Sequence, residues 1–217
     1  VNGEALSEKV LVKPTGCFAC PIECGRTSEI RKGPYAGRKG EGPEFETVGV
    51  FGPMCGVSDF EAITMAGYLC NDYGLDTISC GSTIAFAMEC FEKGILTLAE
   101  TEGMEIGFGD PETMLTLVQR IAKREGIGDL LAEGTRIAAQ LFGKGAERFA
   151  MNVKGLELPC YDSRAAKITG LAFATANRGG DHITAYVQGP TFLASPFLVV
   201  DESEIKDPLK ENPEEVK

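Results

Sequence analysis

The stretch "DPETMLTLVQRIAKREG", residues 110–126, constrains the fold more than any other. Asp110 is a good N-cap, Pro111 fits the first helical turn, and Lys123 and Arg124 stand by the negative end of the dipole before Gly126. Three further segments read as helices. "SDFEAITMAGYLCNDYG" offers Ser58 and Glu61 as a capping box, then Phe60, Ile63, Met65, Ala66, Leu69 and Cys70 near helical spacing, with Gly74 as a stop. That pattern predicts a helix over about 59–73. "STIAFAMECFEKG" predicts one from Ser82 to Lys93, apolar on nearly every side and so buried between other helices. "DLLAEGTRIAAQLFG" predicts a fourth over 129–143, through Leu130, Leu131, Ile137, Ala138 and Leu141. Strand-like alternation is scarce, so the expected fold is mainly α, with few or no strands.

The 217 residues suffice for one large domain or one and a half ordinary ones. Texture changes near residue 150, where "KGLELPCYDSRAAK" is a Pro-containing loop and "GLAFATANRGGDHITAYVQG" is small, apolar and Gly-rich around a polar knot. Domains over 1–150 and 151–217 are expected, the second only begun, with a charged end interrupted by Pro208 and Pro213. The net charge of −11 argues against nucleic-acid binding, because a phosphate backbone demands a basic footprint. No apolar run approaches the roughly 18 residues of a membrane helix. The first residues lack a basic n-region followed by an apolar h-region, so a cytoplasmic location is expected.

The chemistry concentrates in a few places. "GCFACPIECGR" puts Cys17, Cys20 and Cys24 at C-x2-C-x3-C spacing, close enough for one turn of backbone to wrap a metal centre. An iron-sulfur cluster is the first reading, ahead of structural zinc or free thiols, and the order differs from the C-x3-C-x2-C loop of radical enzymes that cleave S-adenosylmethionine. The other five cysteines, Cys55, Cys70, Cys80, Cys90 and Cys160, are scattered among apolar neighbours and read mostly as reduced core residues. "GPEFETVGVFGP" sets Glu44 and Glu46 in an apolar, Gly-rich context where a carboxylate can move protons, the alternative being an exposed pair. "CNDYGLDTISCG" places Asn71, Asp72 and Asp76 around Gly74, a polar turn able to hold a heterocycle or simply a helix cap. "ANRGGDHITA" carries the sole histidine, His182, which is either a proton carrier or a structural residue.

In this order, "CFACPIECGR", "GPEFETVGVFGPMCGVSD", "LCNDYGLDTISCG", "REGIGDLLAEGTR", "VKGLELPCYDSRAA" and "ATANRGGDH" resemble the tungsten-containing aldehyde:ferredoxin oxidoreductase family across residues 14–187. The resemblance implies a helical domain of that family's type: its second domain plus the start of the third. A preceding β domain and a C-terminal remainder would then belong to the same protein, so this chain alone is expected to be inactive. It implies two cofactors, a 4Fe-4S cluster and a tungsten (or molybdenum) bis-pterin. Cys17, Cys20 and Cys24 match three cluster ligands, and the fourth has no match here. Asn71, Gly74, Leu75 and Asp76 occupy the D-x-x-G-L-D pterin motif, with an amide where the family has its first acid. Glu46 aligns with the glutamate near tungsten and His182 with the histidine beside it. Cys55 is a lesser candidate, because relatives that reduce aromatic thioesters use a cysteine as a metal ligand. The implied reaction is oxidation of an aldehyde to a carboxylate, with electrons leaving through the cluster to ferredoxin. Arg26, Arg31, Lys32, Arg38 and Lys39 form a basic loop, read either as a docking patch for that acidic partner or as ordinary solvated charge. A homo-oligomer is also among the expected assemblies. The rivals are an electron-transfer module without tungsten chemistry and a zinc-stabilised helical interaction domain.

Overall fold

The computed structural model describes residues 1–164 and 167–184. The charged C-terminal stretch and the last residues of the family resemblance lie outside them. The chain divides into two compact units, Val1–Met151 and Asn152–Lys217.

The first unit opens with α1 (Gly3–Lys9), capped by Asn2, whose side chain accepts from the Ala5 amide at 2.9 Å. Three short strands follow as an antiparallel meander: β1 (Leu11–Thr15), β2 (Gly25–Glu29) and β3 (Lys39–Glu41), in the order β1-β2-β3. These strands lie partly within the stretch read as a basic loop. They are short and do not alternate, so only backbone pairing across the meander reveals them. Then come α2 (Phe45–Gly49), a wide π-type turn (Val50–Met54), α3 (Phe60–Tyr73), α4 (Thr77–Glu92), α5 (Pro111–Lys123), α6 (Ile127–Leu131), α7 (Gly134–Phe142) and a short 3-10 turn (Ala146–Arg148). The fold is mainly helical, with a few short strands.

Several helix boundaries have a local cause. Asp110 caps α5 by accepting from the Glu112 and Thr113 amides at 3.0 and 3.4 Å, as its position predicts. The cap of α3 is Asp59 rather than Ser58: its carboxylate takes the Ala62 amide at 3.1 Å. Helix α4 starts at Thr77, five residues before the sequence expectation, because Asp76 caps it. The expected helix over 129–143 is broken in two, since Gly134 adopts φ +79°. Phe51, Phe60, Ile63, Ile84, Met88, Met114, Leu117 and Leu131 are fully buried and form the core. Helix α4 runs through it, burying every residue from Cys80 to Met88. Gly81 permits this packing, for a Cβ there would come 2.5 Å from Val50 Cγ2.

The second unit contains a two-stranded hairpin, β4 (Asn152–Val153) with β5 (Leu156–Glu157), and α8 (Lys167–Thr175). Among the described residues no helix is long and apolar enough to cross a membrane.

Candidate cofactor and proton-transfer sites

Cys17, Cys20 and Cys24 sit on the loop joining β1 to β2. Cys17 and Cys24 are exposed and Cys20 half-buried. The loop turns sharply: the Cys20 amide donates to the Cys17 carbonyl at 3.0 Å, and Ala19 and Glu23 adopt left-handed φ values of 57° and 50°. A side chain at Gly16 would meet the Cys20 carbonyl oxygen at 3.0 Å, so the loop closes over a position only glycine fills comfortably. Among the described residues no group of three or more His, Cys, Asp or Glu side chains is assembled to hold a bare metal ion. The donor set nevertheless fits an iron-sulfur cluster, which takes thiolates spaced along one loop.

Arg26, the second residue of β2, ties this loop to the next candidate. Its Nη2 donates to the Cys24 carbonyl at 2.8 Å and its Nη1 to the Pro43 carbonyl at 2.6 Å. Nη2 also faces Glu44 Oε2 at 3.4 Å. Glu44 occupies the N-cap position of α2, and Glu46 lies in the first turn. The two acids part company there: the Glu44 side chain is 60% exposed, whereas Glu46 retains only 8% exposure. The chain then enters the π-type turn, where Pro53 has no amide to donate, and reaches Cys55. Cys55 is buried and its thiol donates to the Gly81 carbonyl at 3.7 Å.

Asn71 lies in the last turn of α3, and Gly74, Leu75 and Asp76 link it to α4 through a Schellman turn. The Leu75 amide donates to the Cys70 carbonyl at 2.8 Å and the Gly74 amide to Asn71 at 3.3 Å, with Gly74 at φ +70°. Asp76 Oδ2 accepts from the Ser79 amide at 2.7 Å, which makes it a helix cap whatever else it holds. Within the motif, Asp72 pairs with Arg38 at 2.7 Å. A buried bond of 2.7 Å between the Ser28 and Tyr68 hydroxyls also fastens the sheet to α3. Burial chiefly, against the opposing Ser28 bond, raises the Tyr68 pKa.

Most of the basic loop is committed inside the chain. Arg26 is held as above, Arg31 donates to the Glu8 and Leu11 carbonyls at 2.8 and 2.6 Å, Arg38 pairs with Asp72, and Lys39 pairs with Glu29 at 3.3 Å. Sequence reasoning grouped these cations by charge and missed what each one fastens.

The second unit builds its own polar site. Asp181 is buried and accepts from the Ile183 amide at 2.9 Å, the Thr184 amide at 3.3 Å and the Thr184 hydroxyl. The Thr184 hydroxyl, first among these bonds, holds the Asp181 carboxyl below its usual range. Gly179, at φ +114°, and Gly180 lie against the β4–β5 hairpin; a Cβ at Gly180 would be 2.6 Å from Leu158 Cδ2. Next to them His182 is half-buried, its ring 5.7 Å from that of Tyr161 and tilted by 35°. Burial lowers its pKa from 6.5; Arg178 adds to the effect and Asp181 opposes it. The neutral imidazole is favoured at pH 7, able to donate at one nitrogen and accept at the other.

Comparison with known proteins agrees with the family resemblance. A family model described as "Aldehyde ferredoxin oxidoreductase, domains 2 & 3" matches residues 1–217. The chain is 42% identical over 207 residues to a tungsten-containing aldehyde ferredoxin oxidoreductase of Pyrococcus furiosus, covering 95% of this chain and 33% of that protein. It is 34% identical over 171 residues to an aliphatic sulfonate oxidoreductase, WOR-like subunit, of the same organism, covering 76% of this chain and 27% of the other. Among solved structures it resembles the active site complex BamBC of benzoyl coenzyme A reductase in complex with 1,5 dienoyl-CoA. That likeness has 30% identity and a TM-score of 0.66, covering 81% of this chain and 26% of the other. The chain therefore spans about a third (33%) of the length of the curated relatives it matches.

Proposed function

This chain belongs to the aldehyde ferredoxin oxidoreductase family, and from that premise we propose that it forms part of an enzyme oxidising aldehydes to carboxylates. The overall change is RCHO + H2O → RCOO− + 3 H+ + 2 e−. When bound, a tungsten (or molybdenum) bis-pterin would supply two-electron redox chemistry and a 4Fe-4S cluster one-electron transfer toward ferredoxin. The first unit is read as the family's second domain and the second unit as the start of its third. A cytoplasmic setting goes with this reading.

The observation that carries the proposal is the attachment of the thiol loop to the segment bearing Glu46, through the Arg26 contacts with Cys24 and Pro43. Cys17, Cys20 and Cys24 supply three cluster thiolates. Asn71, Gly74, Leu75 and Asp76, at an exposed turn, would hold the pterin. Glu46, almost buried, accepts a proton from the attacking water. His182, favoured neutral, is the candidate proton carrier of the second unit. Ferredoxin docking would fall chiefly to Lys32 and Arg31, the first exposed and the second anchored only to uncharged carbonyls.

Two results test the proposal in the full-length protein containing this chain. Metal analysis should find tungsten or molybdenum together with iron, and iron alone would leave only an electron-transfer module. Glu46→Gln should keep both metals yet lower aldehyde-dependent dye reduction about 100-fold or more, in the range of a lost general base. Unchanged turnover would remove Glu46 from the proton path.

A further inference from the structure

Arg26 stands two residues beyond Cys24, and its guanidinium meets three acceptors on two segments. It donates to the Cys24 carbonyl at 2.8 Å and the Pro43 carbonyl at 2.6 Å, and faces the Glu44 carboxylate at 3.4 Å. The backbone repeats the connection, the Gly42 amide donating to the Arg26 carbonyl at 2.8 Å. Gly42 leaves room for the arrangement, because a Cβ there would occupy the space of the Arg26 side-chain stem. The Arg26 side chain is 21% exposed, against 60% for Glu44, so the cation is better shielded from solvent than its counter-charge.

We propose that Arg26 is a positioning residue that locks the cluster loop to the entry of α2 and raises the reduction potential of the cluster held by that loop. The inference rests on the cluster reading given above. Reduction adds negative charge to a cluster, and a nearby, partly desolvated cation stabilises the reduced form. Glu44, more exposed and at the longer distance, cancels only part of that field. Charge and geometry are separable here: lysine keeps the charge but loses the planar fork that reaches several acceptors at once.

The test compares wild type, Arg26→Gln, Arg26→Lys and Glu44→Gln in the full-length protein, by iron content and by an EPR-monitored redox titration of the cluster. Arg26→Gln should shift the cluster midpoint to more negative potential and release iron faster to a chelator. Arg26→Lys should restore the midpoint toward wild type but not the iron retention. Glu44→Gln, at an exposed position, should shift the midpoint positive, which keeps the inference testable if Arg26→Gln loses its cluster altogether. A normal wild-type cluster with no midpoint shift in Glu44→Gln, or with equal shifts in both Arg26 variants, overturns the inference alone. Wild-type protein without a reducible cluster overturns the reading beneath it as well.

Discussion

The thiol loop and the turn between α3 and α4 carry the two proposed cofactor contacts of the first unit, yet their shapes have opposite origins. The turn is made locally. Its Schellman bonds span Cys70 to Leu75, and its final acid caps the very next helix through Ser79. The thiol loop is made at a distance. Arg26 reaches across 17 residues to Pro43, and Tyr68 crosses 40 residues to Ser28 on the strand that follows the loop. A turn of the first kind survives loss of a remote partner; a loop of the second kind does not.

The sharpest way to break that comparison is Tyr68→Ala. Tyr68 is 3% exposed and packs against Gly40, where a Cβ would lie 2.7 Å from its ring. Its removal should cost about 3–5 kcal/mol in chemical denaturation, as for a buried aromatic. Backbone hydrogen exchange should speed up over β2 and β3 and leave the Leu75 amide protected. Equal loss of protection in both regions would show that the turn depends on the sheet after all.

Asp76→Ala is the converse and smaller test. Losing the cap of α4 should cost about 1 kcal/mol, with faster exchange confined to the Ser79 amide and its neighbours. A change that spread to the thiol loop would contradict the local account.

His182 sets the same two influences against each other at a single residue. Its sequence neighbour Asp181 raises its pKa, while burial by the fold lowers it, and burial wins. As the sole histidine, it gives one unambiguous imidazole signal in an NMR titration. The midpoint should fall below the ordinary value of about 6.5. A folded imidazole that binds protons more weakly than the unfolded one makes acid destabilising. That penalty is absent well above pH 6.5, grows as the pH drops, and is complete below the folded pKa. His182→Gln should flatten this part of the stability profile. A midpoint above 6.5 would mean that Asp181 dominates.

The same division explains what was legible in the sequence. The cap at Asp110, the stop at Gly74 and the burial of α4 depend on residues within a few positions, so pattern reading finds them. The early start of α4 is hidden because the polar turn around Gly74 reads as a ligand turn or as the end of α3, whereas one Asp76 carboxylate oxygen caps the following helix. The break at Gly134 escaped because apolar periodicity continues through it while the backbone does not. The meander escaped because its strands are short and are held by pairing rather than by side-chain alternation. Of the candidate residues, Glu46 and Glu44 share one composition and setting, so that only the family resemblance separates them in sequence, and the fold then buries Glu46 and exposes Glu44. Arg26 was hidden among five cations, and its position directly after "CG" was the available signal.

The central claim is that Cys17, Cys20 and Cys24 are ligands of an electron-transfer cluster. The most direct measurement is iron content and low-temperature EPR of the dithionite-reduced full-length protein, beside its Cys20→Ser variant. The account predicts about four irons per chain and a reduced-cluster signal that Cys20→Ser abolishes or severely diminishes. Zinc in place of iron, or an EPR signal indifferent to Cys20→Ser, would contradict it.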